Sequence, residues 1–219
     1  MPAEIKFCGL TRPEDARYAA GLGAAFVGVI MAGGPRTLSG DAAARVFAGI
    51  PPAVQRVGVF AGQPVVEIAQ IAERLELSVV QLHEDADLTR VVELRRVFRG
   101  EIWQVVRVSG PDLPDLPALE AAASAADGIL LDAFVPLKLG GTGVALPWAA
   151  IGAQLDSARP PGRIILAGGL RPENVAEAIG CLAPDVVDVS SGVESAPGVK
   201  DHDRMRAFRD AVTHASIHS

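Results

Sequence analysis

Several of the materials from which binding surfaces are commonly built are scarce in this chain. Aromatic residues make up 5% of it, no run of Lys and Arg occurs, and the net charge is −6. That balance excludes a nucleic-acid groove assembled from basic patches and stacking rings, and it suits a small-molecule partner. Only two cysteines are present, Cys8 and Cys181, far apart in sequence. They supply no disulfide framework and no metal-ligand spacing, so a reducing cytoplasm is the expected compartment and no metal site is expected. No apolar run approaches the roughly 20 residues that cross a bilayer, and the start of the chain goes directly into strand-like sequence without an apolar signal core. A soluble cytoplasmic protein with no membrane partner follows. Low-complexity segments and linkers are missing too, which favours one domain over residues 1–219.

What is abundant is core. Hydrophobic residues reach 49% against 21% charged, and short β-branched runs alternate with longer Ala-, Leu- and Glu-rich segments of helical period. The strands read as Ile5–Cys8, Phe26–Met31, Arg56–Phe60, Val79–His83, Ile102–Val108, Gly128–Asp132, Arg163–Ala167 and Val186–Ser190. Between them, Pro13–Leu22, Ser39–Ala48, Pro64–Leu75, Leu88–Phe98, Leu116–Ala125, Pro147–Gln154, Pro172–Ile179 and Asp203–Ala215 read as helices, several opening on Pro or an acidic residue. The fifth connection, Gly110–Pro117, is punctuated by prolines and reads largely as loop. Eight such alternations predict an α/β fold of one kind, a single-domain (β/α)8 TIM barrel. An open doubly wound sheet would use fewer strands, and its dinucleotide fingerprint is missing.

Residues just past the carboxyl ends of barrel strands form active sites. Cys8 stands there, before the turn made by Gly9; the alternative is a buried structural thiol. Asp132 ends an apolar strand and reads either as a loop cap or as a proton donor whose pKa is raised by its surroundings. Cys8 is the complementary base, because a thiol near pKa 8.5 is partly ionised at neutral pH and takes a proton from carbon without bonding to it. Its thiolate fraction then sets an alkaline rise of the pH profile. Gly168-Gly169 and Ser191-Gly192 are glycine turns after strands seven and eight, the usual phosphate-binding position of this architecture. Gly140–Gly143, with Gly141 and Gly143 within it, is either a third anion-facing loop or a mobile lid. Arg36 offers a planar fork to a carboxylate. His83 stays open between catalysis and a pocket-wall role, and Glu84 with Asp85 reads as a solvated turn. An acid and a base across a phosphate-anchored sugar suggest isomerisation.

These residues resemble one family from end to end. Lys6-Phe7-Cys8-Gly9-Leu10-Thr11, Pro35-Arg36, Gln81-Leu82-His83, Leu131-Asp132, Gly140-Gly141-Thr142-Gly143, Leu166-Ala167-Gly168-Gly169-Leu170 and Val187–Glu194 occur in the order of phosphoribosylanthranilate isomerases, and Pro197–Asp201 extends the match into the last helix. The resemblance implies Cys8 as general base and Asp132 as general acid of an Amadori rearrangement of N-(5-phosphoribosyl)anthranilate. It implies Arg36 on the anthranilate carboxylate, backbone amides around Gly143, Gly169, Ser191 and Gly192 on the phosphate, and Asp188 on a ribose hydroxyl. No cofactor is implied, the partner is a small phosphosugar, and a monomer is expected.

Two stretches depart from the commoner family wording. Gly33-Gly34 precedes Pro35-Arg36 where many members have Lys-Ser, and Val144–Trp148 replaces a Phe-Asp-Trp-like stretch. The first loses a cation near Arg36. The rival readings are the histidine-pathway sugar isomerase of the same fold, or a bifunctional relative, which carries aspartate at the base position and needs a second phosphate site. A catalytically silent phosphosugar binder is the other.

Overall fold

The computed structural model describes residues 2–84, 87–108, 116–133, 148–157 and 159–217. Eight parallel strands close on one another in sequence order: β1 (Glu4–Phe7), β2 (Phe26–Ile30), β3 (Gln55–Phe60), β4 (Val79–Leu82), β5 (Glu101–Val108), β6 (Gly128–Ala133), β7 (Arg163–Ala167) and β8 (Val186–Val189). The ring is completed by β1 against β8, with Glu4 opposite Val186 and Lys6 opposite Asp188. Helices α1 (Pro13–Gly21), α2 (Gly40–Phe47), α3 (Val65–Arg74), α4 (Leu88–Val97), α5 (Leu116–Ala125), α6 (Trp148–Ser157), α7 (Val175–Leu182) and α8 (His202–Ile217) follow the strands.

Strand residues divide by parity, because successive side chains point to opposite faces. Odd members of β1 and β8 such as Ile5, Phe7, Val187 and Val189 join the core between barrel and helices. Phe26, Val57, Val79, Trp103, Val105, Leu130, Ile165 and Val186 form a second cluster inside the barrel. With both faces covered, the strands read as nearly continuous apolar runs, as parallel strands do. Phe26 packs edge-on to Trp103 at 4.9 Å between ring centres, and both are fully buried. This plug fills the lower barrel, so only the upper end is left for a ligand.

Local signals place most helix starts. Pro13 opens α1 with Glu14 and Asp15 in its first turn, and the side-chain oxygen of Ser39 accepts from the Ala42 amide at the start of α2. Asp87 does the same for α4, accepting from Thr89 and Arg90. Helix α7 starts at Val175, three residues after the expected Pro172. The Asn174 carboxamide accepts from Arg171 N–H and donates to the Gly169 carbonyl, closing a turn in which Pro172 sits before the helix.

A second departure is topological. The segment expected to run into the last helix makes a two-stranded antiparallel hairpin, β9 (Glu194–Ala196) with β10 (Val199–Lys200), after a single 3-10 turn at Ser191–Val193. Gly198, at φ 80°, supplies the positive dihedral its tight turn needs.

Replacing Phe26 with Ala should cost about 3–5 kcal/mol, since the plug has no room to collapse around the void. Equilibrium denaturation measures this, and a loss below about 1 kcal/mol would show that the interior does not depend on this ring.

Candidate active site

The parity that builds the plug also delivers the site. Above Val79 and Val186, the next inward positions are Gln81 on β4, Asp188 on β8 and Lys6 on β1. One step higher come Cys8, His83, Asp132 and Ser190. Hydrophobic strands thus end in two polar tiers, and the period of two makes this unavoidable once the apolar tier is set.

The lower tier centres on Lys6, whose side chain is fully buried. Its Nζ donates to Asp188 Oδ2 at 2.7 Å and to Gln81 Oε1 at 2.9 Å. Burial works against this ammonium, yet the charges and hydrogen bonds of Asp188 and Cys8 hold its pKa above the ordinary lysine value. Gly28 on β2 makes the space: a Cβ there would lie 3.2 Å from Cys8 Sγ and 3.3 Å from Lys6 Cε. Lys6, Gln81 and Gly28 were not among the site residues expected from sequence. The available signal was a lysine and a glutamine at inward positions of two otherwise apolar strands.

The upper tier lines a cavity of about 370 Å³ at the barrel mouth. Cys8, His83, Asp132, Gly168, Gly169, Asp188, Ser191 and Gly192 all contribute to its wall, with Ile30, Val59 and Leu130 among the apolar members. Asp132 on β6 and Cys8 after β1 are separated around the ring by β7 and β8. The glycine turns close those two intervening strands. Gly192 shows how tightly they pack, because a Cβ there would meet the Leu170 carbonyl oxygen at 1.9 Å. Backbone from one turn therefore rests directly on the other.

Burial pushes the Cys8 thiol above its ordinary value; Lys6 pulls it back and Asp188 adds to the rise. Asp132 is raised as well, again by burial, with His83 and Arg107 pulling against and Asp188 adding. His83 is lowered by burial despite Asp132, whose Oδ2 is 3.7 Å from its Nε2. The imidazole is thus biased to the neutral form beside a carboxyl biased to keep its proton. Asp188 Oδ1 and Ser190 Oγ are both buried without a hydrogen-bond partner. Two unpaired polar atoms on the wall of a cavity ask for a polar ligand.

Arg36 is placed differently from the other expected residues. It is not part of the cavity wall, and its Nε and Nη2 donate to Glu194 Oε1 and Oε2 at 2.8 and 2.6 Å. Gly9, at φ 67°, gives it passage, since a Cβ there would come within 2.8 Å of both Arg36 Cδ and Ser190 Oγ. The glycine loop with Gly141 and Gly143, and Asp85, lie outside the described residues.

Comparison with known proteins identifies the relatives of this arrangement. The family model of N-(5'phosphoribosyl)anthranilate isomerase matches residues 5–211. The N-(5'-phosphoribosyl)anthranilate isomerase of Acidithiobacillus ferrooxidans is 41% identical over 210 residues, covering 95% of this chain and 97% of that protein. That of Pseudomonas fluorescens is 39% identical over 94% of this chain and 97% of its own length. Among solved structures, the phosphoribosyl anthranilate isomerase of Thermotoga maritima superposes with a TM-score of 0.83 at 34% identity, covering 97% of this chain and 99% of that one. Another was crystallised with reduced 1-(o-carboxyphenylamino)-1-deoxyribulose 5-phosphate and superposes at 0.80 with 33% identity, over 97% and 99% of the two chains. The 3-hexulose-6-phosphate synthase of Salmonella typhimurium, at 16% identity and TM-score 0.70 over 97% and 99%, shares the fold.

The lower polar tier yields a stability test that is independent of any substrate. Lys6→Met should cost about 3–5 kcal/mol, because Asp188 is left buried without its partner. The double variant Lys6→Met/Asp188→Leu should recover most of that loss in urea unfolding. A single variant as stable as the parent would contradict the pairing.

Proposed function

Because the chain belongs to the phosphoribosylanthranilate isomerase family and is an isomerase of tryptophan biosynthesis, we propose that Cys8 and Asp132 carry its two proton transfers. In this reading Asp132 protonates the furanose ring oxygen of N-(5-phosphoribosyl)anthranilate, and the ring opens to an iminium. The Cys8 thiolate then removes the proton from C2 of the ribose. The enolamine so formed tautomerises to 1-(2-carboxyphenylamino)-1-deoxyribulose 5-phosphate. One group begins as an acid and the other as a base, so the net chemistry is internal to the substrate.

The observation that carries the reading is the order of elements around the mouth: acid on β6, anion-binding turns after β7 and β8, base after β1. A phosphate held by backbone amides at Gly168-Gly169 and Ser191-Gly192 places the sugar between the two proton carriers. The Asp188 carboxylate is suited to a ribose hydroxyl, and its hydrogen bond from Lys6 fixes its orientation. Gly141 and Gly143 complete the phosphate cradle in this assignment, and Arg36 takes the anthranilate carboxylate. The apolar wall at Ile30, Val59 and Leu130 shields the developing charge from water. The two free cysteines support a cytoplasmic setting. Among the described residues no helix is long and apolar enough to cross a membrane. The histidine-pathway and silent-binder alternatives fall to the family assignment.

The raised thiol changes the expected pH behaviour from a simple alkaline rise. The active form has Cys8 ionised and Asp132 protonated, although the carboxyl loses its proton before the thiol does. That form is a constant minority between the two ionisations and disappears outside them. The profile of kcat/KM is therefore a bell, falling as pH drops through the raised Asp132 pKa and as pH climbs through the raised Cys8 pKa.

Freshly generated phosphoribosylanthranilate, followed by loss of anthranilate fluorescence, tests the assignment. Cys8→Ser and Asp132→Asn should each lower kcat about 10²–10⁴-fold, and parental inactivity would refute the function while full activity of both variants would refute the roles. In the same assay, kcat/KM that keeps rising above the ordinary cysteine range, with no alkaline fall, would overturn the proposed pair of ionisations.

A further inference from the structure

The β9–β10 hairpin belongs to none of the eight strand–helix units, yet buried charges stand at both its ends. Glu194, at its start, is 8% exposed and receives Arg36 side-on through Nε and Nη2. Lys200, at its end, is 3% exposed, and its Nζ donates to Glu194 Oε1 at 2.9 Å and to the Ser190 carbonyl at 3.0 Å. Arg36 itself runs past Gly9 and Ser190, immediately beside Cys8. Glu194 and Lys200 together thus join the arginine from the β2–α2 connection to Ser190, which precedes the turn after β8.

A guanidinium presents five N–H groups in a plane, arranged as more than one carboxylate-matching edge. The edge formed by Nε and Nη2 is occupied by Glu194. The edge formed by Nη1 and the second proton of Nη2 is not used in that pair and can accept another carboxylate in two parallel hydrogen bonds. Glu194 would cancel the charge that such a ligand needs, were it Arg36's alone. Sharing Glu194 with Lys200 leaves two cations against one anion, so the cluster stays positive beside the cavity.

We propose that Glu194, held by Lys200, is a positioning residue that fixes the Arg36 fork to receive the substrate's aromatic carboxylate, in register with the phosphate turn through Ser190. The inference rests on the isomerase reading above and deepens it by naming what makes Arg36 competent.

The test is calorimetric titration with reduced 1-(o-carboxyphenylamino)-1-deoxyribulose 5-phosphate and with its counterpart lacking the ring carboxylate. Glu194→Gln should weaken the first ligand about tenfold or more, the worth of one charge-assisted hydrogen bond. It should leave the second within about twofold of the parent, as no shared partner is lost. Arg36→Met should show the same selectivity, and the double variant should bind no worse than Arg36→Met alone. In turnover, Glu194→Gln should raise KM and leave kcat nearly unchanged. Equal weakening of both ligands, no weakening of either, or additive losses in the double variant would each overturn the proposal. Should Glu194→Gln not fold, Glu194→Asp must show a smaller loss confined to the carboxylate ligand. Failure of the parent protein to bind either ligand would instead overturn the isomerase reading itself.

Discussion

An ammonium and a carboxylate sealed inside the barrel, Lys6 and Asp188 at 2.7 Å, constrain everything above them. Lys6 is fully buried and Asp188 nearly so, and their attraction in a poorly polarisable interior, with Gln81 as a further acceptor, offsets the lost hydration only while the geometry is kept. The pair joins β1 to β8 where the ring closes. It also orients Asp188 so that one oxygen is bound to Lys6, while the other is buried without a hydrogen-bond partner. A hydrophobic replacement would pack as well and would remove the charge beneath the reacting centre. Lys6 also pulls the pKa of the Cys8 thiol down against the effect of burial.

Two tiers of opposite character produce the chemistry. The apolar plug of Phe26, Trp103 and their neighbours excludes water from below, and that exclusion raises both the thiol and the Asp132 carboxyl. For the carboxyl the shift favours its proposed task as an acid. For the thiol it opposes the task as a base, and Lys6 is the partial remedy. The protonation state that the proposed assignment needs is consequently a minor one, and the cation that favours it, Lys6, is itself fully buried. This is a general tension in general acid–base sites: the dry surroundings that strengthen electrostatic steering also penalise whichever partner must be charged.

The proposed anchoring of substrate, in turn, depends on how elements outside the strand–helix repeat rest on it. The turns after β7 and β8 touch through Gly192 and the Leu170 carbonyl, which unites them as one backbone surface, the proposed phosphate cradle. The β9–β10 hairpin adds Glu194 and Lys200 to the rim and reaches across the closure to Arg36. Asp15 extends the same contact further down the outside, bonding Arg12, the Lys200 amide and His202, on which Tyr18 stacks at 3.9 Å. Helices α1 and α8 are thereby tied to the hairpin, and the rim is braced by the last turn of the ring.

Sequence alone determined the eight alternations, because apolar periodicity and helix-opening residues such as Pro13, Ser39 and Asp87 are local properties that tertiary contacts did not override. It also determined which strand ends bear Cys8, Asp132 and the two glycine turns. The start of α7 was misplaced because Pro172 is equally compatible with a helix and with the Asn174-closed turn that forms. The hairpin was missed because Glu194–Lys200 is short and its pairing is justified by distant partners. What only the tertiary structure decided is who meets whom: Lys6 with Asp188 and Gln81, and Arg36 with Glu194. The Lys6–Asp188 and Arg36–Glu194 contacts span most of the chain, and their energy exists only when ring closure brings the two ends of the chain together.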